Sequence, residues 1–245
     1  MKFAIIAAGE GSRLAQEGIA DPKPLVKVCG ERLIDRLIRV FSANGASEIV
    51  VICNDLSPMV LQHLQNIQQA HFKSQSVPLR IVVKTTPSSM HSFYEISQHL
   101  TDDVFCLTTV DTIFDEREFA DYITLLKQFV GQDNLDGLMG VTRFIDDEKP
   151  LYVATDSEEN ITGFYDDKNG CHLVSGGIYG LSPQVIVTLR NCIERKESRM
   201  RNFQRSLISE GRKLKVFEFT KVFDIDHAVD IGKAENFMKE IRQEK

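Results

Sequence analysis

Two stretches near the N-terminus bring together residue types that handle phosphate. Phe3 to Ala8 is an apolar run that stops at Gly9, and Gly9 and Gly11 bracket Glu10. Without a Cβ the chain can turn sharply and adopt positive φ. The segment Ala7, Ala8, Gly9, Glu10, Gly11 and Ser12 is therefore expected to lay backbone N–H groups against an anion. Arg13 follows at once, and Asp21-Pro22-Lys23-Pro24 comes after a linker, Ala15 to Ala20, that reads as mobile. Each proline pushes the residue before it toward extended geometry, which predicts Lys23 on a stiffened arm. Arg13, a planar fork, and Lys23, a point charge, could then close around a polyphosphate. Two other glycine loops are excluded. A P-loop would need Gly-Lys-Ser/Thr where Gly11-Ser12-Arg13 stands, and the dinucleotide fingerprint would need glycine at Leu14.

Gly9-Glu10-Gly11-Ser12-Arg13-Leu14 followed by Pro22-Lys23-Pro24-Leu25 resembles the signature of the nucleotidyltransferases that make nucleotide sugars from a nucleoside triphosphate and a sugar 1-phosphate. Val110-Asp111-Thr112-Ile113-Phe114 resembles that family's second signature, Gly-Asp-Asn and an apolar pair, with Val110 for the glycine and Thr112 for the asparagine. The resemblance implies a catalytic set of Arg13, Lys23 and Asp111, with Gly9 to Arg13 on the β- and γ-phosphates and Lys23 on the reacting ones. It also implies Mg2+ held by Asp111 and by Asp224 or Asp226. Alternation puts those last two on one side of an extended chain, and Asp226 reads equally as the N-cap of the last helix.

In the same family the nucleobase is read where this chain has Thr86, Ser88 and Ser89. Ser88 or Ser89 reads equally as a helix N-cap, and Ser92 with Glu95 has capping-box spacing. Asp167-Lys168 resembles the family's Glu-Lys-Pro element, and Ser175-Gly176-Gly177-Ile178-Tyr179 its Asn-Ala-Gly-Ile-Tyr segment. Lys168, Gly176 and Gly177 are thereby implied as acceptor contacts. Close packing within a strand explains the two glycines equally well. The molybdenum-cofactor guanylyltransferases share the loop logic with a pterin phosphate as acceptor. A nucleotide-sensing module is a third reading, disfavoured by the presence of Arg13, Lys23, Asp111 and Asp224 together.

These residues need a scaffold that brings strand ends together. Short apolar runs at Phe3–Ala8, Glu48–Cys53, Leu79–Val83 and Asp103–Val110 alternate with helical periodicity over Glu31–Ala43, Pro58–Phe72, a segment reaching His99, and the stretch after Asp115. That alternation predicts an α/β fold with a doubly wound, Rossmann-like mixed sheet, and the resemblance makes it the nucleotide-diphospho-sugar transferase type. Beyond Gly137 the chain turns β-rich: Leu138–Arg143, Pro150–Thr155, Asn160–Tyr165, Leu173–Leu181 and Leu214–Phe219 read as strands, with helices at Pro183–Arg195, Arg199–Gly211 and from Ala228. Residues 1–245 are expected to form one nucleotidyltransferase domain, with a nucleotide half over 1–135 and a small β-rich acceptor subdomain over 136–245.

Bulk properties narrow the partners. A formal charge of -6 over 245 residues argues against nucleic acid and anionic membrane as partners. No apolar run approaches the roughly 20 residues of a membrane span, and the first residues enter a strand rather than a signal peptide. The expectation is a cytoplasmic enzyme whose partners are a nucleoside triphosphate and a phosphorylated small molecule; its oligomeric state is open. Cys29, Cys53, Cys106, Cys171 and Cys192 have no C-x-x-C spacing, so neither a disulfide framework nor a zinc site is expected.

Overall fold

In the computed structural model, which describes residues 1–74, 76–129 and 135–243, the chain begins with β1 (Lys2–Ala7), α1 (Ser12–Gln16) and a 3-10 turn at Lys23–Leu25. A hairpin of β2 (Lys27–Val28) and β3 (Glu31–Arg32) leads into α2 (Leu33–Ala43), β4 (Glu48–Cys53), α3 (Pro58–Ser74), β5 (Leu79–Val83) and α4 (Ser89–Ser97). Then come β6 (Phe105–Thr109), β7 (Thr112–Ile113), α5 (Glu116–Phe129), β8 (Gly137–Thr142), β9 (Tyr152–Thr155), β10 (Ile161–Tyr165) and β11 (Leu173–Leu181). The chain closes with α6 (Val185–Glu194), α7 (Met200–Ser209), β12 (Leu214–Phe219), β13 (Phe223–Asp224) and α8 (Ala228–Gln243).

Strand β1 is the centre because every residue from Phe3 to Ala8 is buried on one side or the other. Phe3, Ile5 and Ala7 enter a core covered by α2, α3, α5 and α8, whereas Ala4, Ile6 and Ala8 enter a second core covered by α4, α6 and α7. The period of two along a strand forces this split. The sheet is thus doubly wound, as the alternation predicted. Its order is β10-β9-β11-β6-β1-β4-β5, with β8 joining β11 to β12.

The pairs among β5, β4, β1 and β6 are parallel, and β11 joins β6 antiparallel. From β1 the chain winds outward to β4 and β5, then returns to β6 on the other side of β1. The carboxyl ends of β1 and β6 flank that reversal, where open α/β sheets bind ligands. The β-rich half continues the same sheet through β11, which pairs with β6, β8 and β9.

Most expected elements stand within a residue or two. Helix α2, however, starts at Leu33, because Glu31 and Arg32 pair with Val28 and Lys27 around a turn in which Cys29 and Gly30 both have positive φ. Two-residue strands are too short to carry an alternation signal. Lys23 also differs from expectation: it opens the 3-10 turn, with the Leu25 N–H donated to the Pro22 carbonyl at 2.7 Å. All five cysteines are free, and Cys53, Cys106 and Cys192 are buried. Among the described residues no helix is long and apolar enough to cross a membrane.

Candidate active site

The glycine loop leaves β1 and turns back at Gly11, whose φ of 63° lies in the left-handed region. Gly9 does not share that geometry. The loop is braced from below by Asn54, at the end of β4, whose buried side-chain amide donates to the carbonyls of Ala8 at 3.2 Å and Gly9 at 3.4 Å. On the neighbouring strand β6 ends at Thr109, and Asp111 follows. Two ladder pairs between β7 and β13, Ile113 with Phe223 and Thr112 with Asp224, bring Asp224 and Asp226 beside it. The Ile225 N–H donates to the Asp111 carbonyl at 3.2 Å, which extends the clasp.

The charged side chains converge. The Lys23 ammonium donates to Asp111 and, at 2.8 Å, to Asp226, while Arg13 donates to the other oxygen of Asp226 at 2.9 Å. Burial would release the Lys23 proton, but the negative charges of Asp111 and then Asp226 outweigh it and raise its pKa. Burial likewise disfavours the ionised Asp226, yet Lys23 and Arg13 hold it below the usual carboxylate range. Asp224 goes the other way. Its side chain meets solvent, but in a cleft walled by protein; that crowding, and then the charge of Asp111, push its carboxyl up.

Asp111, Asp224 and Asp226 therefore face Lys23 and Arg13 together, and a further cation beside them would favour the ionised form of Asp224. The donors are hard carboxylate oxygens, which suit Mg2+. Among the described residues no three metal-ligating side chains form a ready-made cage.

Two cavities meet at this centre. One, of about 400 Å³, is lined by Ala8, Gly9, Glu10, Gly11, Ser12, Arg13, Lys23, Thr86, Ser88, Ser89, Asp111 and Asp226. The other, of about 240 Å³, is lined by Gly176, Asp224, Phe144, Phe223, Asp146, Glu148 and Lys233, among others. Arg13 and Asp226 line both.

Three expected site residues lie elsewhere. Ala7 is buried in the core on the opposite face of β1, because it is odd in the alternation that sends Ala8 toward the cleft. Lys168 sits on the β10–β11 connection and lines a separate cleft with Arg201 and Arg205. Gly177, with φ of 70°, lines neither cavity; a Cβ there would lie 3.5 Å from the Thr112 hydroxyl. Its neighbour Gly176 marks an irregularity in the pairing of β11 with β8.

The capping alternatives are also decided. Ser88 is the N-cap of α4, with its hydroxyl oxygen accepting from the His91 N–H at 3.5 Å, and it lines the first cavity as well. Asp226 is not the cap of α8: Asp230 accepts from the N–H groups of Asp226 at 3.1 Å and His227 at 2.8 Å. Glu17, in the linker expected to be mobile, is pinned instead. One of its oxygens accepts from the Ala228 N–H and the other meets His227 Nδ1, both at 2.6 Å. No local pattern marks Glu17 or Asn54, because their partners are brought to them by the fold.

Residues 2–245 match the profile of the family described as Nucleotidyl transferase. Glucose-1-phosphate cytidylyltransferase of Salmonella typhimurium is 25% identical over 133 residues, 47% of this chain and 52% of that protein. The bifunctional IPC transferase and DIPP synthase of Rubrobacter xylanophilus is 34% identical over 79 residues, 32% of this chain and 16% of that protein. The matched segment thus spans about half, or less, of these curated relatives. Among solved structures, the inositol-1-phosphate CTP transferase from T. maritima superposes with a TM-score of 0.79 at 19% identity, over 98% of this chain and 96% of that one. The CTP:phosphocholine cytidylyltransferase from Streptococcus pneumoniae gives 0.73 at 17% identity, over 97% and 98%. At such identities the likeness is one of fold.

Proposed function

The chain belongs to the nucleotidyl transferase family, and from that membership we propose that it transfers a nucleoside monophosphate from a nucleoside triphosphate to a phosphorylated small molecule, with release of pyrophosphate. The observation that carries this reading is the pair of cavities that share Arg13 and Asp226. An acceptor phosphate entering from the smaller cavity would meet the α-phosphorus of a triphosphate lying in the larger one. An acceptor oxygen forms the new bond to that phosphorus, the bond from it to the bridging oxygen breaks, and pyrophosphate carries the electron pair away. The nucleophile is already anionic, so positioning and charge neutralisation are the protein's contribution.

In this reading the Gly9–Arg13 segment holds the β- and γ-phosphates, Lys23 meets the reacting phosphates, and Thr86, Ser88 and Ser89 face the base. Asp111 with Asp224 or Asp226 would hold Mg2+, which when bound would neutralise phosphate oxygens. CTP is the proposed triphosphate, because three of the four relatives named above are cytidylyl or CTP transferases. A sugar or cyclitol phosphate is the proposed acceptor, as in the names of two of them. The smaller second cavity suits an acceptor smaller than the nucleotide.

One observation favours a second acceptor class. Asp146, Asp147, Glu148, Asp224, Asp226 and Asp230 line the acceptor cavity against Arg13 and Lys233, beside the rings of Phe144 and Phe223. Excess negative charge favours a phosphorylated amino alcohol, whose cation it would hold, while the rings of Phe144 and Phe223 already face the Lys221 ammonium at 4.4 and 5.3 Å.

The experiment is pyrophosphate release with magnesium, each ribonucleoside triphosphate and dTTP, against sugar 1-phosphates, inositol phosphate and phosphocholine. Turnover with CTP and one acceptor class is expected. Nucleotide binding without pyrophosphate from any pair would replace the enzyme with a sensing module.

A further inference from the structure

We propose that Arg36, on α2, is a positioning residue for the catalytic carboxylates; the inference rests on the functional reading above. Arg36 is 2% exposed although it carries a guanidinium. It donates to the Phe114 carbonyl at 2.8 Å and, more weakly, to the Thr112 carbonyl at 3.4 Å. Its guanidinium carbon lies 4.5 Å from the centroid of the Phe114 ring, and its Nε is 3.4 Å from Glu116. All of these contacts fall on the segment that leaves Asp111 and enters α5.

The cost of this arrangement points to a purpose. Burial lowers the Arg36 pKa to about 10, only partly offset by Glu116, so the group stays charged at neutral pH inside an apolar core. A leucine or methionine would cover Phe114 without that penalty, and replacing buried charge by apolar side chains is often neutral or stabilising. What an apolar side chain cannot do is hold two carbonyls at fixed points on either side of Ile113.

Strand β7 is only Thr112–Ile113, with β13 as its ladder partner. These two strands form a sheet of their own, and an isolated two-stranded ribbon is marginally stable at best. Arg36 grips β7 and the residue after it at their carbonyls, while β13 pairs with β7 and brings Asp224. Asp111 directly precedes the gripped carbonyl of Thr112. The guanidinium therefore sets where Asp111 stands, and through the ladder where Asp224 and Asp226 stand, without touching substrate. A displacement of about 1 Å at a reacting centre costs on the order of a hundredfold in rate.

The test uses Arg36→Met and Arg36→Lys in the full chain, with three readouts: kcat and KM by pyrophosphate release, global stability by denaturant, and amide hydrogen exchange over residues 110–116. The expected result is a tenfold or larger fall in kcat for Arg36→Met with KM for nucleotide within about twofold. Exchange in 110–116 should rise by more than the global stability change accounts for, and Arg36→Lys should recover part of both effects. If kcat is unchanged, or exchange rises only in step with global stability, Arg36 is a packing residue and the proposal is overturned. Should Arg36→Met fail to fold, the same criteria apply to Arg36→Lys. If the parent releases no pyrophosphate with any pair, the functional reading fails, and the exchange data alone decide whether Arg36 holds the segment.

Discussion

Gly11 and Lys23 stand so close that a Cβ built on Gly11 would come within 3.0 Å of the Lys23 Cβ, and Gly11 has a φ of 63°. Both facts disfavour a side chain at this point. Gly11→Ala is expected to lose about 1–2 kcal/mol of stability from the left-handed backbone alone. It should lose more in kcat than that strain accounts for, because the methyl group pushes on the lysine. Calorimetric unfolding and pyrophosphate release on one preparation test this; full activity in a destabilised variant would show that Lys23 needs no fixed position.

Lys23→Ala should turn over at roughly a hundredth to a thousandth of the parent rate, the usual loss for one preorganised donor, with modestly weakened nucleotide affinity. The structure adds a second expectation. Lys23 pairs with Asp111 and Asp226, so it competes with a divalent cation for the same oxygens. Removing it should tighten magnesium binding to the nucleotide-free protein, measurable as a larger rise in Tm on adding the ion. A variant that keeps its kcat while KM rises would make Lys23 a binding residue only.

Chelation is expected to abolish turnover, and Asp111→Asn to lower it by several orders of magnitude. Asp226 is already paired with Arg13 and Lys23, whereas among the described residues Asp224 forms no salt bridge, so Asp224→Asn should raise the magnesium concentration needed for half-maximal rate more than Asp226→Asn does. Undiminished activity in excess chelator would remove the ion from the mechanism.

Away from the site, Glu116 gives a pH test. Burial disfavours its charge, but the Arg39 fork at 2.8 and 2.9 Å and the nearby Arg36 outweigh that and depress its pKa. A depressed carboxyl contributes stability that is fully present above the unfolded value of about 4.3 and is lost as pH falls through the folded value. Denaturant titrations of the parent and Glu116→Gln should therefore differ most near neutrality and converge in acid. A difference that grows on acidification would reverse the sign and refute the assignment.

What the sequence made legible follows from how local each signal is. Asp111 could be placed because a carboxylate at the end of an apolar strand points to a strand's carboxyl edge, and Gly11 because a sharp turn needs glycine. Lys168 could not, since a two-residue resemblance says nothing about which side of a β-connection a side chain takes. Ala7 and Ala8 illustrate how one step in a strand exchanges cleft for core. Asn54, Arg36 and Glu17 were illegible for a shared reason: each earns its place through a backbone group far away in the chain, as Arg36 does at Phe114.

The ladder between β7 and β13 also imposes an order of events. Thr112 meets Asp224 across more than a hundred intervening residues, and contacts of such separation carry a large loop-closure cost and form slowly. A chain emerging from the ribosome would present its glycine loop and Lys23 early, yet lack Asp224 and Asp226 until the last strand arrived. Arg13 and Lys23 would likewise wait for Asp226, with which both pair, so turnover would report completion of the fold.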